Sequence, residues 1–348
     1  MSEGQRSKVK GQREIRGRKG FLAVLVLTSD LLLLTFNLAC GAPQPHFLSI
    51  ATGGTGGVYY PYGGALARLL TEKIPNTQVT AEATGASVDN LKYMQLGKVD
   101  LAFTLADTLA EAVKGTGPFA STGAIGSVRT LAVLYTNYTH VVVRQGSGIR
   151  TIKDLRGHTV SVGSPGSGTE LIADRVLAAA GLDPKKDIAR QALSVAESAG
   201  ALKDGKIDAL FWSGGLPTGA IQDLAATPGF TMMLLPSDDV LPFLQRDFGR
   251  ELYGVALIPA TAYRGMTADV GTVAVKNLLV ASSQLSDDLV EQILRVMFDN
   301  KDTLIAAHPE ARHLERSVSF DNAPAPYHSG AIKYYKASAS KSDKAPLP

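Results

Sequence analysis

Gly53-Gly54-Thr55-Gly56-Gly57, then Ser87-Val88, then Gly97-Lys98-Val99-Asp100-Leu101-Ala102-Phe103 is a series that the chain repeats. The second copy reads Gly163-Ser164-Pro165-Gly166-Ser167-Gly168-Thr169, Ser194-Val195 and Gly205-Lys206-Ile207-Asp208-Ala209-Leu210-Phe211. Each glycine-rich turn follows a strand-like run (Phe47 to Ala51; Thr159 to Val162) and precedes an amphipathic run. Unpaired helix N-terminal N–H groups should therefore sit at the carboxyl end of a sheet, where small anions are readily held. Two lobes of the same build are expected, with a ligand between two helix tips.

Around this repeat the pattern is α/β. A helix is expected from about Val58 to Lys73, a strand from Gln78 to Ala83, a helix from Ser87 to Leu96 and a strand from Asp100 to Thr104. Strands at Thr130–Tyr135 and His140–Arg144 flank Thr136-Asn137-Tyr138, read as the first passage between lobes. The second-copy helix, Thr169 to Ala180, ends at Gly181, a favourable residue just past a helix end. Past Trp212 the pattern loosens; Val273–Ser282 should return the chain to the first lobe, followed by a helix from Ser286 to Leu304. Residues 336–348, rich in Lys, Ser, Ala and Pro, read as a disordered tail.

The first forty residues differ from the rest. Seven Lys and Arg between Arg6 and Lys19 precede an apolar stretch from Phe21 to Ala39, interrupted by Asp30, and together they read as an export signal. The chain's single cysteine follows in Leu38-Ala39-Cys40-Gly41. It is either the lipid-modified first residue of a bacterial lipoprotein or a neighbour of simple cleavage or of an uncleaved anchor. One cysteine makes no internal disulfide, so export rests on the leader. Seven of the 35 Lys and Arg and three of the 32 acids fall in residues 1–41, leaving 28 against 29. The basic balance thus belongs to the leader, and nucleic acid is not an expected partner.

Neither turn is a nucleotide fingerprint. Gly163–Thr169 lacks the lysine of a P-loop, and Gly54-Thr55-Gly56-Gly57 lacks the third glycine in dinucleotide-binding spacing. Ser164 and Ser167 lack nucleophile-elbow spacing, and His46, His140, His158, His308, His313 and His328 form no close pair suggesting a metal site or a triad. Asp100 and Asp208, equivalent in the repeat, read as turn or cap residues. Asp107, near the carboxyl end of Leu101–Leu105, reads equally as a ligand contact or as the cap of a helix beginning at Thr108. At least one of Tyr59, Tyr60 and Tyr62 should face the cleft. Trp212, the only tryptophan, stands at the mirror position in the second lobe, as a pocket wall or as core.

Ile50-Ala51-Thr52-Gly53-Gly54-Thr55-Gly56-Gly57-Val58-Tyr59-Tyr60, Thr84-Gly85-Ala86-Ser87-Val88-Asp89-Asn90, Gly97-Lys98-Val99-Asp100, Leu134-Tyr135, Gly163–Thr169 and Trp212-Ser213-Gly214-Gly215-Leu216-Pro217 occur in order with sensible spacing. From about residue 46 to 335 the chain resembles the TAXI family, the substrate-binding proteins of one branch of tripartite ATP-independent periplasmic (TRAP) transporters. The resemblance implies an α/β, two-lobed periplasmic binding fold of the second type, closing on a ligand in the cleft. Lobe 1 would comprise residues 46–137 and about 275–335, and lobe 2 residues 138–274. It implies a first-lobe pocket of Thr55, Gly57, Tyr59, Ser87, Val88 and Asn90, with Leu105 and Asp107 at the next strand end. Tyr135 near the crossover, Ser167, Gly168, Thr169 and Trp212 would complete it. Family members often carry Gln-Ser before the aspartate and Pro-Glu after the hinge tyrosine. Here Leu105-Ala106 and Thr136-Asn137 stand there, which leaves room for a carboxylate smaller or less polar than glutamate.

The expectation is an exported, noncatalytic periplasmic receptor, a monomer without metal or cofactor. It would bind a small organic carboxylate, a glutamate-like amino acid or a dicarboxylate, and deliver it to TRAP permease subunits. If the ligand is an amino acid, Asp107 is the expected ammonium partner. Two rivals share the shape: a ligand-sensing adaptor acting on a receptor kinase, and an enzyme, for which the residues supply no nucleophile–base set.

Overall fold

In the computed structural model, residues 45–316 and 323–342 are described. The leader and Cys40 lie outside them. The first copy of the repeat folds as β1 (His46–Ala51), α1 (Tyr59–Lys73), β2 (Thr77–Glu82), α2 (Ser87–Gln95) and β3 (Leu101–Leu105), followed by α3 (Ala106–Lys114) and the long β4 (Val128–Arg144). The second copy folds as β5 (Thr159–Ser161), α4 (Gly168–Ala179), β6 (Ala189–Gln191), α5 (Val195–Lys203) and β7 (Ala209–Gly214). Then come α6 (Gly219–Ala226), β8 (Met232–Leu234), α7 (Leu241–Phe248), β9 (Gly254–Ile258), β10 (Val270–Ser282), α8 (Asp287–Asp299), α9 (Lys301–Ala307) and α10 (Ser329–Ser342). None of these helices is long and apolar enough to cross a membrane.

The repeated aspartates do the same job twice. Asp100 Oδ2 accepts the Ser49 N–H, and Asp208 Oδ2 accepts the Thr159 N–H, each at 2.8 Å. Each carboxylate so ties the first strand of its copy to the third. The preceding glycines, Gly97 and Gly205, end α2 and α5 at φ 65° and 71°, a conformation glycine adopts without a Cβ penalty. Both copies pair their strands in parallel, in the orders β2-β1-β3 and β6-β5-β7. This is the two-lobed α/β architecture of the periplasmic binding fold.

β4 and β10 join the lobes. The expected break at Thr136–Tyr138 is absent: β4 runs through without interruption and changes partner instead. Up to Tyr138 it pairs with β10, and from Tyr138 onward with β7 and then β8. β10 likewise pairs β9 through Ala274 and β3 from Asn277. Because side chains alternate along a strand, β4 serves different cores. Val141 and Val143 enter a core that also holds Val88, Leu105 and Leu109 of the first lobe and Ile172 and Val176 of the second. Leu131 and Leu134 enter a core of the first lobe, and Val142 one of the second. One face of the sheet thus carries a core common to both lobes.

Two expectations at the carboxyl end are corrected. The helix expected over Ser286–Leu304 is divided between α8 and α9 at Asn300, whose Nδ2 donates to the Val296 carbonyl at 2.8 Å, a side-chain bond of the kind that competes with helix continuation. The tail expected from residue 336 is helical as far as Ser342. Tyr334 and Tyr335 of α10 pack on Phe298, with ring centroids 5.6 and 5.9 Å apart, and this anchors a turn whose Lys, Ala and Ser residues tolerate helix well. Residues 343–348 lie outside the described residues.

Candidate functional site

The carboxyl ends of β1, β3 and β7 and the turns at 53–57, 85–87 and 164–169 enclose a cavity of about 40 Å³ between the lobes. Of the residues anticipated for the pocket, Gly57, Tyr59, Ser87, Leu105, Tyr135, Ser167, Gly168, Thr169 and Trp212 line it; Thr55, Val88, Asn90 and Asp107 do not. Thr55 is exposed at the tip of its turn, and Val88 packs into the shared core. Of the three tyrosines, Tyr59 faces the cavity, Tyr60 is exposed and Tyr62 is fully buried.

Asn90 supports the site from behind. Its Nδ2 donates to the Thr52 and Phe103 carbonyls at 2.7 and 2.8 Å, and its Oδ1 accepts from the Thr84 hydroxyl. That hydroxyl in turn accepts from the N–H of Ala86, which lines the cavity at φ 87°. A non-glycine residue holds that backbone geometry only when its surroundings enforce it.

Asp107 is corrected from ammonium partner to interlobe anchor. Its Oδ1 accepts from the N–H of Thr108, and its Oδ2 accepts from Arg175 at 2.9 Å and from Tyr253 Oη at 2.7 Å. Arg175, on α4 of the second lobe, also pairs with Glu111 on α3. With Asp107 fully buried and Arg175 5% exposed, the carboxylate is already neutralised, and it does not line the cavity. Its position at a strand end suggested the wrong partner because the arginine comes from the other lobe.

The glycine-rich turns have a second task. Gly166, at φ 73°, turns its carbonyl onto the Val88 and Asp89 N–H groups at 3.1 and 3.0 Å, capping α2 of the opposite lobe. In the reverse direction the Gly56 carbonyl accepts the Ala220 N–H of α6 at 3.4 Å. Each turn so caps a helix across the cleft. Trp212 closes over Gly57, where a Cβ would stand 2.8 Å from its Cη2.

Trp212 is held by a chain of hydrogen bonds. Its Nε1 donates to Thr218 Oγ1 at 2.8 Å, and the Thr218 N–H donates to Tyr263 Oη. His140 Nε2 lies 2.9 Å from that phenol and its Nδ1 2.9 Å from the Tyr138 carbonyl. A carbonyl only accepts, so Nδ1 carries the proton and Nε2 accepts from Tyr263. Burial holds His140 down, to about 4, so the neutral ring persists.

A second chain crosses between the lobes. Tyr59 Oη donates to Asn277 Oδ1, Asn277 Nδ2 to Asn137 Oδ1 at 2.7 Å, and Asn137 Nδ2 to Ser213 Oγ at 2.8 Å. Asn137 and Ser213 line the cavity although neither was anticipated as a contact. Their signal was weak: Asn137 stood out only as a departure from the family pattern, and Asn277 lies in an apolar strand.

Residues 50–338 match the family model described as the NMT1-like family. The chain belongs to the NMT1-like family. Among solved structures, this NMT1-like protein shares its fold with one from Bordetella bronchiseptica RB50, at a TM-score of 0.54 and 15% identity over 84% of this chain and 98% of that one. Two more distant matches are sulfonate binders. The alkanesulfonate-binding protein SsuA from Xanthomonas axonopodis pv. citri, bound to MOPS, aligns at a TM-score of 0.45 and 20% identity over 86% of this chain and 93% of that one. The periplasmic aliphatic sulphonate binding protein SsuA from Escherichia coli aligns at 0.44 and 18% over 78% and 76%. Within the NMT1-like protein, no lining residue of the cavity is Lys, Arg, His, Asp or Glu.

Proposed function

We propose that this NMT1-like protein is the extracytoplasmic solute-binding receptor of a TRAP-type secondary transporter. It captures a small organic carboxylate by closing its lobes and delivers it to a membrane permease. The observation that carries the reading is the state of the cavity hydroxyls. Ser87 Oγ accepts the Leu105 N–H at 3.2 Å, Ser167 Oγ the Glu170 N–H at 3.0 Å, Thr169 Oγ1 the Ser213 N–H at 3.1 Å, and Ser213 Oγ the Asn137 amide at 2.8 Å. With their oxygens so engaged, the hydroxyls of Ser167, Thr169 and Ser213 have their hydrogens left to donate, while that of Ser87 is directed at the Tyr59 phenol. A cavity of neutral donors selects a ligand group that only accepts, and a carboxylate is such a group. The first turns of α4 and α1 add N–H groups and the positive ends of their dipoles.

A binding role fits better than catalysis. None of those four hydroxyls pairs with a histidine or carboxylate among the described hydrogen bonds, so no base stands ready to activate one. Closure joins residues 46–137 and about 275–335 to residues 138–274 through β4 and β10, and ligand shifts the population toward the closed form a permease would recognise. The sequence resemblance to the TAXI branch supports the transporter assignment.

Calorimetry of the purified full-length chain against monocarboxylates, dicarboxylates and amino acids tests the reading, with Trp212 fluorescence as a second readout. One carboxylate binding near micromolar, about −8 kcal/mol, and recovered unchanged supports it. Silence across the panel sinks the carboxylate assignment, and recovery of an altered compound makes the protein an enzyme.

A further inference from the structure

Two acids are buried among the described residues, Asp107 and Glu310. Asp107 is paired with Arg175, whereas Glu310, 3% exposed in the short first-lobe turn Pro309–His313, faces the other lobe without a buried cation. Its Oε1 accepts the N–H of Leu216 on the second lobe. Its Oε2 has no hydrogen-bond partner; His313 Nε2 stands 3.7 Å from it on a side chain 56% exposed. The same turn grips the second lobe again through His308. Nδ1 of that ring accepts the Glu310 N–H, so Nε2 carries the proton and donates to the Pro217 carbonyl at 3.1 Å. Gly215 is pressed against the carboxylate: a Cβ there would stand 2.5 Å from Glu310 Cγ.

These contacts lie outside the ligand cavity. Glu310, Leu216 and Pro217 line a separate surface cavity of about 490 Å³, which shares no lining residue with the ligand cavity and brings solvent to the turn. The titratable groups facing Glu310 are Arg312 and His313, both exposed, His308 on the same turn, the phenols of Tyr62 on α1 and of Tyr135 and Tyr138 on β4, and that of Tyr263 on the second lobe. An ionised carboxylate there has only the Leu216 N–H and the exposed Arg312 to offset its burial. Burial accordingly pushes Glu310 up to about 7. The cover that imposes this burial, Gly215 to Pro217, belongs to the other lobe and leaves with it.

We propose that the Pro309–His313 turn is a proton-linked latch between the lobes: Glu310 takes up a proton from water as the Gly215–Pro217 turn seats on it, and releases the proton as the lobes part. The neutral carboxyl keeps an oxygen for the Leu216 N–H, so protonation removes the buried charge and retains the interlobe bond. Closed, the group holds its proton below about 7; open and solvated, it does so only below its ordinary 4.5. The advantage of closure is therefore complete below 4.5 and is lost as pH rises to 7, by about tenfold per pH unit. His308 acts with the opposite sign, because burial holds it below the ordinary histidine value and protonating it opposes the seated turn. Capture of a ligand by closure draws a proton to Glu310, so binding tightens in acidic surroundings by this route.

The test is amide hydrogen exchange of the full-length chain without ligand, between about pH 5 and 7.5, read at the Leu216 amide and corrected for the intrinsic pH dependence of exchange. Protection of this amide reports opening of the lobes even when opening is rare. Glu310→Gln still accepts from Leu216 and cannot titrate, so the ratio of parent to variant protection cancels the contribution of His308. That ratio should fall tenfold or more from the acid to the alkaline end of the range. In both proteins Leu216 should exchange faster than the buried amide of Ile293, which distinguishes parting of the lobes from unfolding. A ratio constant with pH overturns the latch, because Glu310 then does not titrate with opening. Equal protection of Leu216 and Ile293 also overturns it, since the turn is then released only when the protein unfolds.

Discussion

Asn277 on β10 donates through Nδ2 to Oδ1 of Asn137 on β4 at 2.7 Å, where both strands change partners between the lobes. This buried amide pair is flanked by Tyr59 from the first lobe and Ser213 from the second, so it registers the two walls of the cavity against each other. Asn137→Ala leaves Asn277 and Ser213 each short of a partner. The expected loss is about 1–3 kcal/mol of stability, together with weaker ligand binding, read by urea denaturation and calorimetry. Unchanged binding would mean that the relay does not position the cavity.

The contact between Gly57 and Trp212 leaves no room for a side chain at Gly57. Gly57→Ala would place a methyl 2.8 Å from Trp212 Cη2, closer than packed carbons tolerate, so the ring or the lobes must move. Ligand affinity should fall roughly tenfold, an overpacking cost of about 1.4 kcal/mol. The sole tryptophan makes this visible: its emission should become that of a more exposed indole, and small-angle scattering should report a larger radius. An unchanged radius with full affinity would show that the Gly57–Trp212 contact does not limit closure.

Arg175 joins the lobes behind the cavity, where it meets Asp107, Glu111 and Tyr253. Arg175→Met strands the buried Asp107 carboxylate and should destabilise the protein by about 3–5 kcal/mol. Combining it with Asp107→Leu should recover part of that loss, because the uncompensated charge is gone. Thermal denaturation of both variants and the double variant measures the coupling; simple additivity would argue against a buried pair.

pH separates two buried groups by sign. The folded protein keeps His140 neutral, with its proton affinity lowered to about 4 from 6.5, so this contribution is complete above about 6.5 and is lost as pH falls toward 4. Glu310 behaves oppositely. Burial raises it from 4.5 to about 7, so its ionisation opposes folding and stability declines as pH rises through that window. Without ligand, Glu310→Gln should therefore match the parent near pH 4.5 and exceed it in melting temperature at pH 7.5 and above. A constant offset across pH would show that the carboxyl does not titrate in this window.

What the chain determined alone is local. The two glycine-rich turns, the paired strand–helix–strand copies and the Asp100 and Asp208 ties follow from turn chemistry and apolar periodicity, which act over a few residues. Nine of the anticipated pocket residues line the cavity because turns and strand ends deliver them to one edge of the sheet. The tertiary structure alone decided partners that are distant in sequence. Asp107 finds Arg175 68 residues later, Tyr59 finds Asn277 218 residues later, and Glu310 meets the Leu216 turn 94 residues before it. No periodicity encodes such pairings: Asp107–Arg175 and Glu310–Leu216 form where the two lobes meet, and Tyr59–Asn277 where the chain returns to the first lobe. The burial that closure imposes then decides which polar group must find a partner and which is left for a ligand.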